Sequence, residues 1–137
     1  MSWSQDIRGE LRSILLRVPS LPAVAWEGRD FTPTARTAWI RERLAWLPAE
    51  LVTTGGSYGT VSERGLYLLD LFAARDATTS TIDQLADAIR AAFKPGTPLG
   101  CLQGGYVQSA ARAAYLTEPD WVMSPVTIRF YCYRQNT

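Results

Sequence analysis

Histidine is missing from all 137 residues. Its absence removes the commonest general base and the commonest metal ligand together. Cysteine is scarce: Cys101 and Cys132 stand far apart, each in apolar surroundings. Two thiols without histidine make no zinc site, and buried free thiols are the expected state, with a disulfide as the alternative. Lysine is scarcer still, with Lys94 alone, so the positive charge is arginine. Two explanations stay open: a GC-rich genome, or use of the planar guanidinium fork, which pairs bidentately and stacks on aromatic rings. An excess of either charge is also lacking, and a net charge of +1 gives no reason to expect nucleic acid or an anionic membrane as partner. Long apolar runs are absent as well. The longest, residues 66–74, is broken by Asp70 and is too short to span a bilayer. Asp6, Arg8 and Glu10 near the start do not fit a signal peptide. These absences lead to the expectation of a soluble protein in a reducing cytoplasm, with no membrane contact.

What is present suits an α+β fold. A hydrophobic share of 47% supports a core, and the length predicts a single domain over residues 1–137. Trp3, Ile7, Leu11, Ile14, Leu15 and Val18 recur at helical spacing, with Ser2 or Ser4 as the cap and Pro19 as the stop. A short strand is expected over 23–27 and an exposed loop over 28–37. Residues 39–47 and 61–72 read as two long strands joined by a wide glycine-rich connection over 49–60. In the first of them Ile40, Leu44 and Trp46 fall on one side, Arg41 and Arg43 on the other. A second helix is expected over 81–93, with Ile82, Leu85, Ala86, Ile89 and Phe93 as its buried stripe. Strands over 99–102, 106–116 and 121–133 complete the order α-β-β-β-α-β-β-β. That order describes a mainly antiparallel sheet with two helices packed on it. Pro125 is expected at a bulge or an edge. Trp26, Trp46 and Trp121 are assigned to the core, Trp39 and Tyr58 to the surface.

A search for chemistry finds no cluster. Asp83 and Asp87 share a helix face, where they border the buried stripe. Ser57 lies between glycines, but a strand follows it and no histidine exists to activate it. Gly55 and Gly56 open no helix and precede no lysine, so they make no phosphate cradle. Trp39, Arg41, Arg43 and Trp46 combine basic and aromatic character, yet Glu42, Glu50 and Glu63 dilute the field, and nucleic acid is not expected. The reading is a protein with no catalytic, cofactor-binding or metal-binding residues, and not an enzyme. What remains is surface for other chains. Tyr, Trp and Arg dominate interface hot spots, and edge strands offer free backbone groups. The interface candidates are Trp39, Arg41, Arg43, Gly55, Gly56, Tyr58, Gly59 and Glu63.

The order and spacing of several segments carry a resemblance. They are IRGELRSILL, AVAWEGRDFTP, WIRERLAWLPAE, GGSYGT, RGLYLLDLFA, IDQLADAIRAAFKPGTPL and EPDWVMSPVTIRFYCY. Over most of its length the chain resembles a family of small phage and prophage proteins of unknown function, similar to the tail-terminator (minor tail) proteins of long-tailed phages such as lambda. The resemblance implies an α+β structural protein, with no catalytic residue to transfer. It implies a closed ring, hexameric when assembled, whose subunits can be monomers until they meet the tube; the ring caps the tail tube and meets the head–tail connector protein. It implies the cytoplasm of the bacterial host as the place of synthesis and the virion tail as the destination. Arg41 and Arg43 of one subunit against Glu63 or Asp70 of the next is the charge pairing expected in such a ring. The alternatives are a head-completion or connector-side adaptor, and a small-ligand or peptide-binding module.

Overall fold

The computed structural model describes residues 2–53, 55–56, 59–76, 79–100 and 104–135. Helix α1 (Trp3–Leu16) leads into β1 (Ala23–Ala25), β2 (Trp39–Trp46), β3 (Glu50–Leu51) and β4 (Thr60–Ala74). Helix α2 (Thr79–Ala92) then precedes β5 (Gly105–Arg112), β6 (Leu116–Thr117) and β7 (Trp121–Gln135). The architecture is the expected α+β, two helices on a mostly antiparallel sheet, with one strand more before α2 than the sequence suggests.

Both helices bury the stripes that their spacing predicts. Ile7, Leu11, Ile14 and Leu15 point inward from α1, and Ile82, Ala86 and Ile89 from α2. Phe93, just past α2, is fully buried. Ser2 takes the N-cap position of α1 without a side-chain cap bond. The sheet runs β1-β2-β4-β7-β5, with β3 beside β4 and β6 beside β7. Only β1 and β2 are parallel among the described pairs.

Strands β4 and β7 form the spine. They pair without interruption from Thr60↔Gln135 to Ala74↔Trp121. Alternation then sorts the side chains into two faces. Ile40 and Leu44 of β2, Tyr67, Leu69 and Leu71 of β4, and Val126, Ile128 and Phe130 of β7 join both helices in one core. Gly65 belongs to this face for a steric reason. A Cβ there would come within 2.6 Å of the Phe130 ring and 2.9 Å of the Ala45 carbonyl oxygen. The other face carries Arg41, Arg43, Leu66, Leu68, Arg129 and Tyr131, and no described helix lies over it.

Several boundaries differ from the expectation. The connection over 49–60 is shortened, because Glu50 and Leu51 pair with Ser62 and Val61 and the Val52 N–H reaches the Thr60 carbonyl at 2.9 Å. Leu99 and Gly100 are in no strand, and the rest of the strand expected over 99–102 lies outside the described residues. The strand expected over 106–116 ends at Arg112, carries a bulge between Val107 and Ser109, and resumes separately as β6. Pro125 is neither at an edge nor at that bulge, but inside the spine. Its carbonyl accepts the Ala113 N–H at 2.9 Å. The nitrogen and oxygen of one strand residue face the same side, so its missing donor faces the gap where β7 passes from β5 to β6. Cys132 is buried and disulfide-bonded, not a free thiol. Cys101 lies outside the described residues.

The sheet edges offer little to an added strand. On one side β1 is three residues long. On the other, the segment before β5 covers its first half: the Gly96 N–H bonds Val107 O at 2.8 Å and the Leu99 N–H bonds Gly105 O at 2.9 Å. Arg90 Nε caps the Ala110 carbonyl at 3.1 Å. Short or covered edges block unplanned pairing.

Candidate functional site

Register places Arg41 directly opposite Asp70 on the uncovered face. Arg41 donates to Asp70 Oδ2 from Nε at 3.0 Å and from Nη2 at 2.8 Å. Arg43, two residues along β2 and so on the same face, donates to the same oxygen at 3.1 Å. The carboxylate is 4% exposed while the two arginine side chains are 45% and 51% exposed. One buried anion thus orders two half-exposed guanidiniums and neutralises only one of them. The acid expected to meet these arginines across a subunit boundary is their partner within the chain.

Trp39 begins the same strand and shares that face. It is half-buried, not exposed: its ring stacks on Phe72 with centroids 4.1 Å apart and also meets Phe31 and Trp121. Its Nε1 is buried with no hydrogen-bond acceptor among the described residues. Arg41 lies over the Phe72 ring at 5.2 Å, within cation–π range. The result is a cleft of about 420 Å³ at the β1–β2 edge, with Trp26, Phe31 and Trp39 as its apolar wall and Arg29, Arg41 and Arg43 as its charged rim. Arg29 is exposed, and its side chain has no partner among the described residues. Three expected interface residues, Trp39, Arg41 and Arg43, therefore converge.

Beneath the cleft lies a network that the sequence reading missed. Glu42 does not dilute the basic face; it points into the core, 1% exposed. Arg12 of α1 grips it bidentately, Nε to Oε2 at 2.9 Å and Nη2 to Oε1 at 2.7 Å. The buried Tyr67 hydroxyl donates to Oε2, and the Glu27 N–H donates to Oε1 at 3.1 Å. Burial alone would raise the Glu42 pKa, but the bonds from Arg12, Tyr67 and the Glu27 amide outweigh it and hold the carboxyl below its ordinary range. Burial, then the bond to Glu42, pushes the Tyr67 hydroxyl well up. The available signal was the alternation itself: Ile40, Glu42 and Leu44 share a side. This network pins α1 to the back of β2 and so fixes the strand that presents the arginines.

The remaining candidates fall elsewhere. Gly55 and Gly56, with φ of 132° and 56°, and Gly59 lie beyond β3, at the opposite end of β4 from Asp70. Tyr58 lies outside the described residues. Glu63 sits on the helix-covered face, its side chain 8% exposed and bonded to Arg134 Nε at 2.8 Å. It lines a second groove of about 370 Å³ beside α1, whose rim includes Asp6 and Glu10. Of the residues assigned to the core, Trp26 and Trp121 are half-buried and Trp46 is 36% exposed. Among the described residues no group of three or more His, Cys, Asp or Glu side chains is placed to hold a metal ion. No described helix is long and apolar enough to cross a membrane.

No curated protein matches this chain. A solved structure superposes on it with a TM-score of 0.72, covering 96% of this chain and 95% of its own length. At 19% identity that is a likeness of fold. A family described as phage tail terminator protein matches residues 7–130, from the middle of α1 to the middle of β7. With nearly every element of the fold inside that match, the chain belongs to the phage tail terminator family, and is a phage structural protein.

Proposed function

We infer that this chain closes into a six-fold ring on the end of a tail tube, stops its polymerisation and presents a surface to the head-side connector. It stays a monomer in the host cytoplasm until it meets the tube. The observation that carries this reading is the family match over residues 7–130. The uncovered sheet face supports it. A structural protein keeps such a face for other chains, and this one combines aromatic rings with arginines in surplus over their acids. A ring built from one chain is heterologous, so each subunit needs two different patches. Tail tubes assembled with and without the protein test the proposal. Uniform tubes with a cap at one end are expected in its presence; tubes that go on growing would remove the reading.

A further inference from the structure

Resting on the ring reading, we propose that the exposed arm over residues 113–120 of one subunit seats in the Trp39–Arg41–Arg43 cleft of the next subunit. Every residue of this arm is exposed, with Leu116 at 52%. It is ordered all the same. β6 pairs with β7, and the Glu118 N–H closes the turn on the Trp121 carbonyl at 2.7 Å. Leu116 pairs with Met123, which pairs with Phe72, which pairs with Trp39. Directly paired residues share a face, so Leu116 and the cleft lie on the same uncovered face, three strand spacings or about 14 Å apart. Leu116 is thus too far away to fill the cleft of its own chain, although Trp121 at the foot of the arm touches Trp39; Leu116 and the cleft lie toward opposite sides of the sheet, where the neighbours on either side in a ring would contact them.

The chemistry of the two patches is complementary. The arm carries Glu118 and Asp120 and no basic residue, and neither carboxylate has a side-chain partner among the described residues. The cleft holds Arg29, Arg41 and Arg43 against Asp70 alone; its other acids, Glu27 and Glu42, are bound to Arg8 and Arg12. The arm's two acids, with Arg75 bonded to the Pro119 carbonyl between them, thus face a cleft whose arginines outnumber its unpaired acid by two. Leu116 supplies the apolar side chain for the wall formed by Trp26, Phe31 and Trp39. These acids fill the place that Glu63 and Asp70, spent within the chain, leave empty.

Charge exchange between two variants is the decisive experiment. One variant carries Arg29→Glu and Arg43→Glu, leaving Arg41 to hold Asp70; the other carries Glu118→Arg and Asp120→Arg. Each alone needs at least about tenfold more protein to cap tail tubes, because every contact then sets like charges together. An equimolar mixture restores capping, since a ring of alternating variants has only opposite charges in contact. Wild-type unfolding midpoints for both variants exclude a folding defect. If one variant fails to fold, a photo-crosslinker at Leu116 gives the answer, read on mixed isotope-labelled chains. Crosslinks between copies into residues 26–43 support the contact. Crosslinks into the tube protein or another surface, or capping by either variant at wild-type concentration, overturn it while leaving the terminator role intact. Failure of the wild-type chain to stop tube growth sinks that role by itself, and the crosslinks still report on the contact.

Discussion

A single residue, Glu42, shows how much depends on one side chain. It lies in a strand that reads as charged on one side and apolar on the other, and it is a carboxylate on the apolar side. Removing one partner of a buried pair costs about 3–5 kcal/mol. Arg12 is 27% exposed and can turn to water, so Glu42→Ala is expected near the lower end, about 3 kcal/mol by urea unfolding. The pH dependence follows from the depressed pKa. The contribution of Glu42 is complete above the unfolded value of 4.5 and is lost as pH falls through its lower folded value. Wild-type stability should therefore drop more steeply than that of Glu42→Gln in urea titrations carried below pH 4.5. An equal slope in both would show that the network does not couple to folding. Gly65 makes a second case. With the Phe130 ring 2.6 Å from the place a Cβ would take, Gly65→Ala is expected to cost about 1–3 kcal/mol. The pattern already placed Glu42 on the core side. Its partner Arg12 lies thirty positions earlier on another element, and no local pattern announces such a pairing.

At the level of elements, the long periodic segments were readable and the short ones were not. Helix stripes and the alternation of β2, β4 and β7 are local properties, visible in any window of the chain. β3 is two residues long and exists because β4 extends far enough to pair with it. The break between β5 and β6 is likewise set from outside, by the missing N–H of Pro125 in the adjoining strand. The alanines around it give no hint. The convergence of Trp39, Arg41 and Arg43 with Asp70 was half legible: alternation put the arginines on one face, but the register of β2 against β4 decided which acid meets them. The same division governs mutational cost. Phe93, 0% exposed against the sheet, anchors the end of α2, and Phe93→Ala should lose about 3–5 kcal/mol. Leu116→Ser, on an exposed two-residue strand, should change stability by less than about 0.5 kcal/mol. Thermal melts of the two variants check both statements.

Across the whole molecule, the helices close one face of the sheet, and no described helix covers the other. The spine overhangs at the β3 end, where Leu51 and Val52 are 51% and 48% exposed beside the glycine-rich connection. In the terminator reading this end docks on the tube and covers the exposed Leu51 and Val52 side chains. Amides of residues 52–60 should gain hydrogen-exchange protection when tubes are added. Equal protection in the two states would place the tube contact elsewhere.

The short and covered edges of the sheet bear on how the protein behaves before it is used. A ladder that can be extended invites any passing strand, and a structural protein made in many copies would risk joining its own kind without limit. Among the described residues the sheet edges offer little backbone to recruit with, so in the ring reading subunits recognise one another mainly through side chains on finished surfaces. Contact strength is then set by a few rings and charges, each adjustable by one substitution, and chains can accumulate folded and separate. Fibre formation at high concentration should be absent even where ring formation is efficient.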